Sequence, residues 1–224
     1  MNNAQFIKNS NGEVVSFYHG SPHKFNKFKI NCRGGACDLG VHFGIDIKTA
    51  EAALLYRTLD KMSIDSEFIC DSEKILKKAN NLIKETPIKE VKLKGNIFKI
   101  GCDAGDFSRI DRVCNALREK GDDFYNNALE KYKFDHVKPL DKNIVDIIER
   151  KVGFKYPEDF DGEFWMAENG VEMNEDTIAT RNILIENNIN VLLYPNTYDD
   201  GSNISVVVLD LNSIVYLAWS IWKY

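Results

Sequence analysis

The chain has 224 residues, 44% of them hydrophobic, and its 29 Lys and Arg against 34 Asp and Glu give a net charge of -5. That length fits one large domain, or one domain with a sizeable insertion. The absence of any basic tract argues against bulk binding to nucleic acid, and no apolar run approaches the roughly 18 residues of a membrane span.

The first residues, MNNAQFIKNSNGE, carry no apolar signal core, so the expected location is cytoplasmic. Residues 14–18, VVSFY, read as a short buried strand. Residues 31–40, NCRGGACDLG, are Gly-rich without periodicity and read as a loop. A helix is expected from Thr49 to Leu59, with Ala50, Ala53 and Leu54 inward and Arg57 interrupting the stripe. A second is expected over 71–85, with Ile75, Leu76, Ala79, Leu82 and Ile83 on one face and Pro87 closing it. Residues 90–100 alternate as Val91, Leu93 and Ile97, with Gly95-Asn96 as a turn or bulge.

From 107 to 150 the pattern is mainly helical. Ile110, Val113, Cys114 and Leu117 mark one helix that stops near Gly121; Ile144, Val145, Ile147 and Ile148 mark another, with Asp141 as N-cap and Gly153 as stop. Residues 153–174 read as a loop anchored by aromatic residues. Asp176–Asn188 is a further helix with Ile178, Ala179, Ile183 and Leu184 inward. Strands follow at 191–194 and 204–209, linked by the turn-rich PNTYDDGSN, and a last one over 214–219. Strands at both ends with helices mostly between predict an α+β domain spanning 1–224, with a mostly helical insertion at about 60–175.

The five cysteines (Cys32, Cys37, Cys70, Cys102 and Cys114) include no CxxC, so neither a disulfide framework nor a zinc site is indicated. Cys32 and Cys37 can pair, but free thiols are expected in a reducing cytosol. His19 and His23 stand at His-x3-His spacing, yet Pro22 between them argues for a turn, and no metal is expected.

Three segments stand out: FYHGSPHKF (17–25), LGVHFGIDIKTAEAALLY (39–56) and NISVVVLD (203–210). A strand ending in His-Gly, a Gly-bounded aromatic pair leading into a helix, and a late β-branched strand form an ordered set. That set resembles the ADP-ribosyltransferase fold of the diphtheria-toxin and PARP type, and the small ADP-ribosyltransferase-like domains of phage and mobile elements. The resemblance implies a split β core, NAD as substrate, and a protein target that receives ADP-ribose. In that family the His at the place of His19 binds the adenosine ribose and the Gly at Gly20 pairs through its main chain with the nicotinamide carboxamide. An imidazole can donate to and accept from a hydroxyl, and a residue without Cβ lets a flat ligand approach the backbone. Ser21 adds a hydroxyl, and Arg33 is a candidate for the pyrophosphate.

His42 stands where the family usually has a Tyr that stacks on nicotinamide, with Phe43 expected to point the other way into the core. Tyr56, one helical turn beyond Ala52, is a second stacking candidate. Matching VVVLD places Ser205 where the family carries its catalytic Glu. The resemblance thus implies a mono-ADP-ribosyltransferase, possessing a phage- or bacterial-effector character, whose carboxylate comes from Asp200 or Asp199. The alternatives are an inactive binding module and an NAD glycohydrolase. Asp210 is expected to fix the following turn through Asn212 or Ser213.

Overall fold

The run Ile204-Ser205-Val206-Val207-Val208 is buried at every position. A strand with both faces covered reads as a continuous β-branched run rather than an alternating one. The computed structural model describes residues 5–23, 25–30, 32–33, 36–65, 77, 79–81, 84–102, 107, 110–119, 121, 123–152, 174–196 and 204–217. Its strands are β1 (Ser16–His19), β2 (Cys32–Arg33), β3 (Ala36–Cys37), β4 (Val41–Gly44), β5 (Lys89–Leu93), β6 (Ile97–Lys99), β7 (Lys138–Pro139), β8 (Val191–Pro195), β9 (Ile204–Val208) and β10 (Ile214–Tyr216). The helices are α1 (Ile47–Asp65), α2 (Ile110–Arg118), α3 (Asp123–Tyr132), α4 (Lys142–Val152) and α5 (Asn174–Glu186). Residues 77, 79–81, 84 and 85 are also helical, which agrees with the helix expected over 71–85 where it is described.

The architecture is α+β. Among the described residues eight strands form one mixed sheet in the order β10-β5-β1-β4-β9-β8-β6-β7, and β2-β3 form a separate ribbon. The loop expected over 31–40 therefore contains a paired ribbon. Each arm has two residues, too short for any periodicity to show. Residues 60–175 hold α2 to α4, but β5, β6 and β7 within that range belong to the main sheet.

Gly95-Asn96 does not close a hairpin. β5 and β6 lie five strand-to-strand steps apart in the sheet, about 24 Å if it were flat. Yet Leu93 and Ile97 are four residues apart and reach about 14 Å at most. The sheet must bend so that its two halves approach. Hydrogen bonds fix this crossing: Lys94 N–H donates to Ser213 O at 2.8 Å, and Asn96 N–H to Asn190 Oδ1 at 3.3 Å. Gly95 has φ +120, a backbone region that favours glycine.

The bend encloses one core, made of Phe17, Val41, Phe43, Val91, Leu93, Ile97, Leu193, Val206 and their neighbours. The other core lies between the opposite face of the sheet, at Leu192, Tyr194 and Val207, and helices α2, α4 and α5. On α5 the buried face is Thr177, Thr180, Ile183 and Leu184, whereas Ile178 and Ala179 are half-buried. The α5 stop is a Schellman pattern. Ile189 N–H donates to Leu184 O, Asn188 N–H donates to Ile185 O, and Asn188 takes φ +59. Asp141 caps α4 as expected, accepting from Asn143 N–H at 2.9 Å. Gly153, the expected stop, and the loop that follows lie outside the described residues, as does most of the strand expected beyond Tyr216.

Leu193 is fully buried and sits on β8 opposite Val206. Leu193→Ala is expected to lower unfolding stability by about 2–5 kcal/mol, read as a reduced urea midpoint with little change in slope.

Candidate functional site

The three segments singled out by the sequence fall on β1, β4 and β9, which are consecutive in the sheet. Tyr18 opposes Gly44, Gly44 opposes Ser205, and Ser205 opposes Tyr194, so one row crosses four strands. β4 then runs into α1 through Asp46, whose Oδ1 accepts from Thr49 N–H at 2.8 Å and caps the helix.

His19 ends β1. Side chains alternate along a strand, so His19 shares the face of the fully buried Phe17. Its ring centroid lies 5.1 Å from that of Phe28, 5.5 Å from Phe43 and 5.8 Å from Phe25. His19 Nδ1 is 2.7 Å from the His42 carbonyl oxygen. A carbonyl only accepts, so Nδ1 carries the proton. Burial pushes the His19 pKa below its ordinary value; the bond to the His42 carbonyl opposes this, and Lys89 and Arg57 add to the lowering. The neutral ring therefore presents Nε2 as an acceptor.

The residues after His19 are pinned. A Cβ on Gly20 would lie 2.0 Å from the Ala50 carbonyl oxygen and 2.8 Å from Leu54 Cβ, so glycine is required here by the close approach of α1. Ser21 Oγ accepts from His23 N–H at 3.2 Å, in agreement with a turn at Pro22. Lys89, opposite His19 on β5, donates from Nζ to Phe25 O and sits 3.5 Å over the Phe25 ring. Burial lowers the Lys89 pKa.

His42 points to the opposite face from Phe43, as alternation requires. Phe43 is 1% exposed in the enclosed core. The His42 ring instead meets Phe107 edge-on at 4.9 Å, and its Nδ1 is 2.8 Å from Tyr194 Oη. The rings of His19 and His42 thus lie on opposite faces of the sheet, connected through the His42 main chain. Ser205 shares the His42 face; it is 2% exposed, and its Oγ accepts from Asn196 Nδ2 at 2.9 Å.

Tyr56 is 66% exposed and lies about 200° around the α1 axis from the buried Leu54. The inward stripe of α1 is Ala50, Leu54 and Thr58, the last donating from its hydroxyl to Leu54 O at 2.7 Å. Arg33 ends β2, opposite Ala36. Asp199 and Asp200 lie outside the described residues. Asp210 accepts from Asn212 N–H at 3.0 Å and shapes the turn before β10, as expected.

Tyr194, Asn196 and Phe107 are members of the site that the sequence reading missed. The β8–β9 register would have exposed the first two, because it sets Tyr194 opposite Ser205; Phe107 gave no signal. Among the described residues no helix is long and apolar enough to cross a membrane. No family model, curated protein or solved structure matches this chain.

Because the folded pKa of His19 lies below the unfolded value of 6.5, the unfolded chain takes the proton first as pH falls. The contribution of His19 to stability is complete above pH 6.5 and is lost as pH drops through that value towards the folded pKa. His19→Phe keeps a ring among Phe25, Phe28 and Phe43. Unfolding free energies from urea titrations across this range are expected to fall less steeply on the acid side in the variant, by up to about 1.4 kcal/mol per pH unit.

Proposed function

We propose that this chain is a mono-ADP-ribosyltransferase of the diphtheria-toxin and PARP type, an effector that transfers ADP-ribose from NAD to a host or partner protein. One observation carries the reading. Segments up to about 190 residues apart that resemble that family's three motifs occupy adjacent strands, β1, β4 and β9, with the helix α1 following β4.

In this reading His19 Nε2 accepts a hydrogen bond from the adenosine ribose, and the Gly20 main chain meets the carboxamide, with Ser21 alongside. Arg33 contacts the pyrophosphate. Of the two stacking candidates, Tyr56 has the exposed ring, while one edge of His42 is engaged by Phe107 and Tyr194. Nicotinamide leaves with the electrons of the glycosidic bond, positive charge grows on the ribose, and the target side chain attacks as it loses its proton. A carboxylate beside the ribose stabilises that charge. Asp200, with Asp199 second, is assigned this role. Both belong to the segment between Asn196 and Ile204, and Asn196 is bonded to Ser205, the residue at the family's Glu position.

Ser205 favours a second reading, a module that binds NAD or a partner without turnover. Its hydroxyl is buried, bonded to Asn196 and uncharged.

Incubation with labelled NAD, with and without host lysate, separates these outcomes. Label on a protein band is the expected result; free ADP-ribose identifies a glycohydrolase, and neither product identifies a binding module. His19→Phe is expected to weaken NAD binding by about 1–3 kcal/mol in calorimetry; unchanged affinity removes His19 from the site. Asp199→Asn with Asp200→Asn is expected to reduce transfer roughly 100- to 1000-fold. Transfer that survives this double change rules out the assigned acid. Activity that appears with Ser205→Glu from an inactive parent establishes the binding module instead.

A further inference from the structure

Cys32 and Cys37 are directly opposed in the β2–β3 ribbon, and Arg33 is opposed to Ala36. Directly opposed residues of an antiparallel pair have Cα atoms about 4.5–5.5 Å apart. A disulfide needs a Cα separation of about 4.4–6.8 Å. The backbone register therefore supplies the separation that the bond requires, without movement of either strand.

We propose that Cys32 and Cys37 are an oxidative modification site, a dithiol that forms an intrachain disulfide by exchange with a small-molecule disulfide. A thiolate from one cysteine attacks the small disulfide, which releases one thiol and leaves a mixed disulfide. The second cysteine attacks the cysteine-side sulfur of that bond and releases the second thiol. Two cysteines are oxidised, one small disulfide is reduced to two thiols, and the two cysteine protons end on those thiols. The bond ties the ribbon that carries Arg33 and leads through residues 38–40 into β4, the strand of His42.

Trypsin offers a direct readout, because Arg33 lies between the two cysteines. Cleavage after Lys29, Arg33 and Lys48 gives peptides 30–33 and 34–48, each with one cysteine. The whole folded protein is equilibrated with reduced and oxidised glutathione at fixed ratios, quenched with acid, alkylated, digested and weighed. The expected product is the two peptides joined and lacking two hydrogens. Half-conversion is expected at an oxidised-to-reduced ratio roughly tenfold lower than for the same chain in urea, where the register is absent. Cys32→Ser should abolish the joined product and leave Cys37 alkylated or glutathionylated. Separate alkylated peptides at every ratio overturn the proposal. So do glutathione adducts on both cysteines in place of the joined product, or equal half-conversion in the folded and urea-treated chains.

Discussion

Three residues, Lys94 to Asn96, join β5 to β6, and this tether sets the shape of the molecule. It holds together strands that the sheet order keeps apart, so the sheet curls around Phe17, Phe43, Leu93 and Val206. Burial on the concave side favours apolar groups and penalises charged or unpaired polar ones. His19 is the notable polar ring there. It tolerates the position because it is neutral and gives its one proton to the His42 carbonyl. The convex side has a different partner, the helical layer of α2, α4 and α5, and there the polar groups His42, Tyr194, Ser205 and Asn196 bond in pairs.

The two faces are coupled at β4. The carbonyl of His42 serves the inner face while its imidazole serves the outer one. A displacement of β4 along its axis would disturb both sets of contacts together. β9 opposes such a slide, since all four β4 residues pair with it in register and its own residues are buried on both sides. The Asp46 cap adds a second hold, because Tyr132 of α3 donates to the same carboxylate at 3.3 Å.

Much of the local structure was legible. The opposite facing of His42 and Phe43 followed from strand periodicity, and the Asp141 and Asp210 turns followed from side-chain chemistry that acts within a few residues. What escaped the sequence depends on distance in the chain or on masking of the apolar pattern. Thr58, Thr177 and Thr180 carry buried helix faces, but hydropathy counts them as polar; the Thr58 hydroxyl offsets its burial by bonding to Leu54 O. The divergence of β5 and β6 is invisible locally, since a Gly-Asn pair between two apolar runs reads the same whether the strands meet or part. Phe107 joins His42 and Tyr194 only through the tertiary fold. The candidate acids Asp199 and Asp200 rest on sequence alone.

Among the described residues the sheet order ends at β7, where Lys138 and Pro139 are both exposed. A proline has no N–H to offer a further strand, and a lysine there would bring its charge against the same residue of an identical neighbour. The eight-stranded sheet therefore terminates in a segment that resists stacking edge to edge, a safeguard against polymerisation for a protein whose interior strands are so rich in valine and isoleucine.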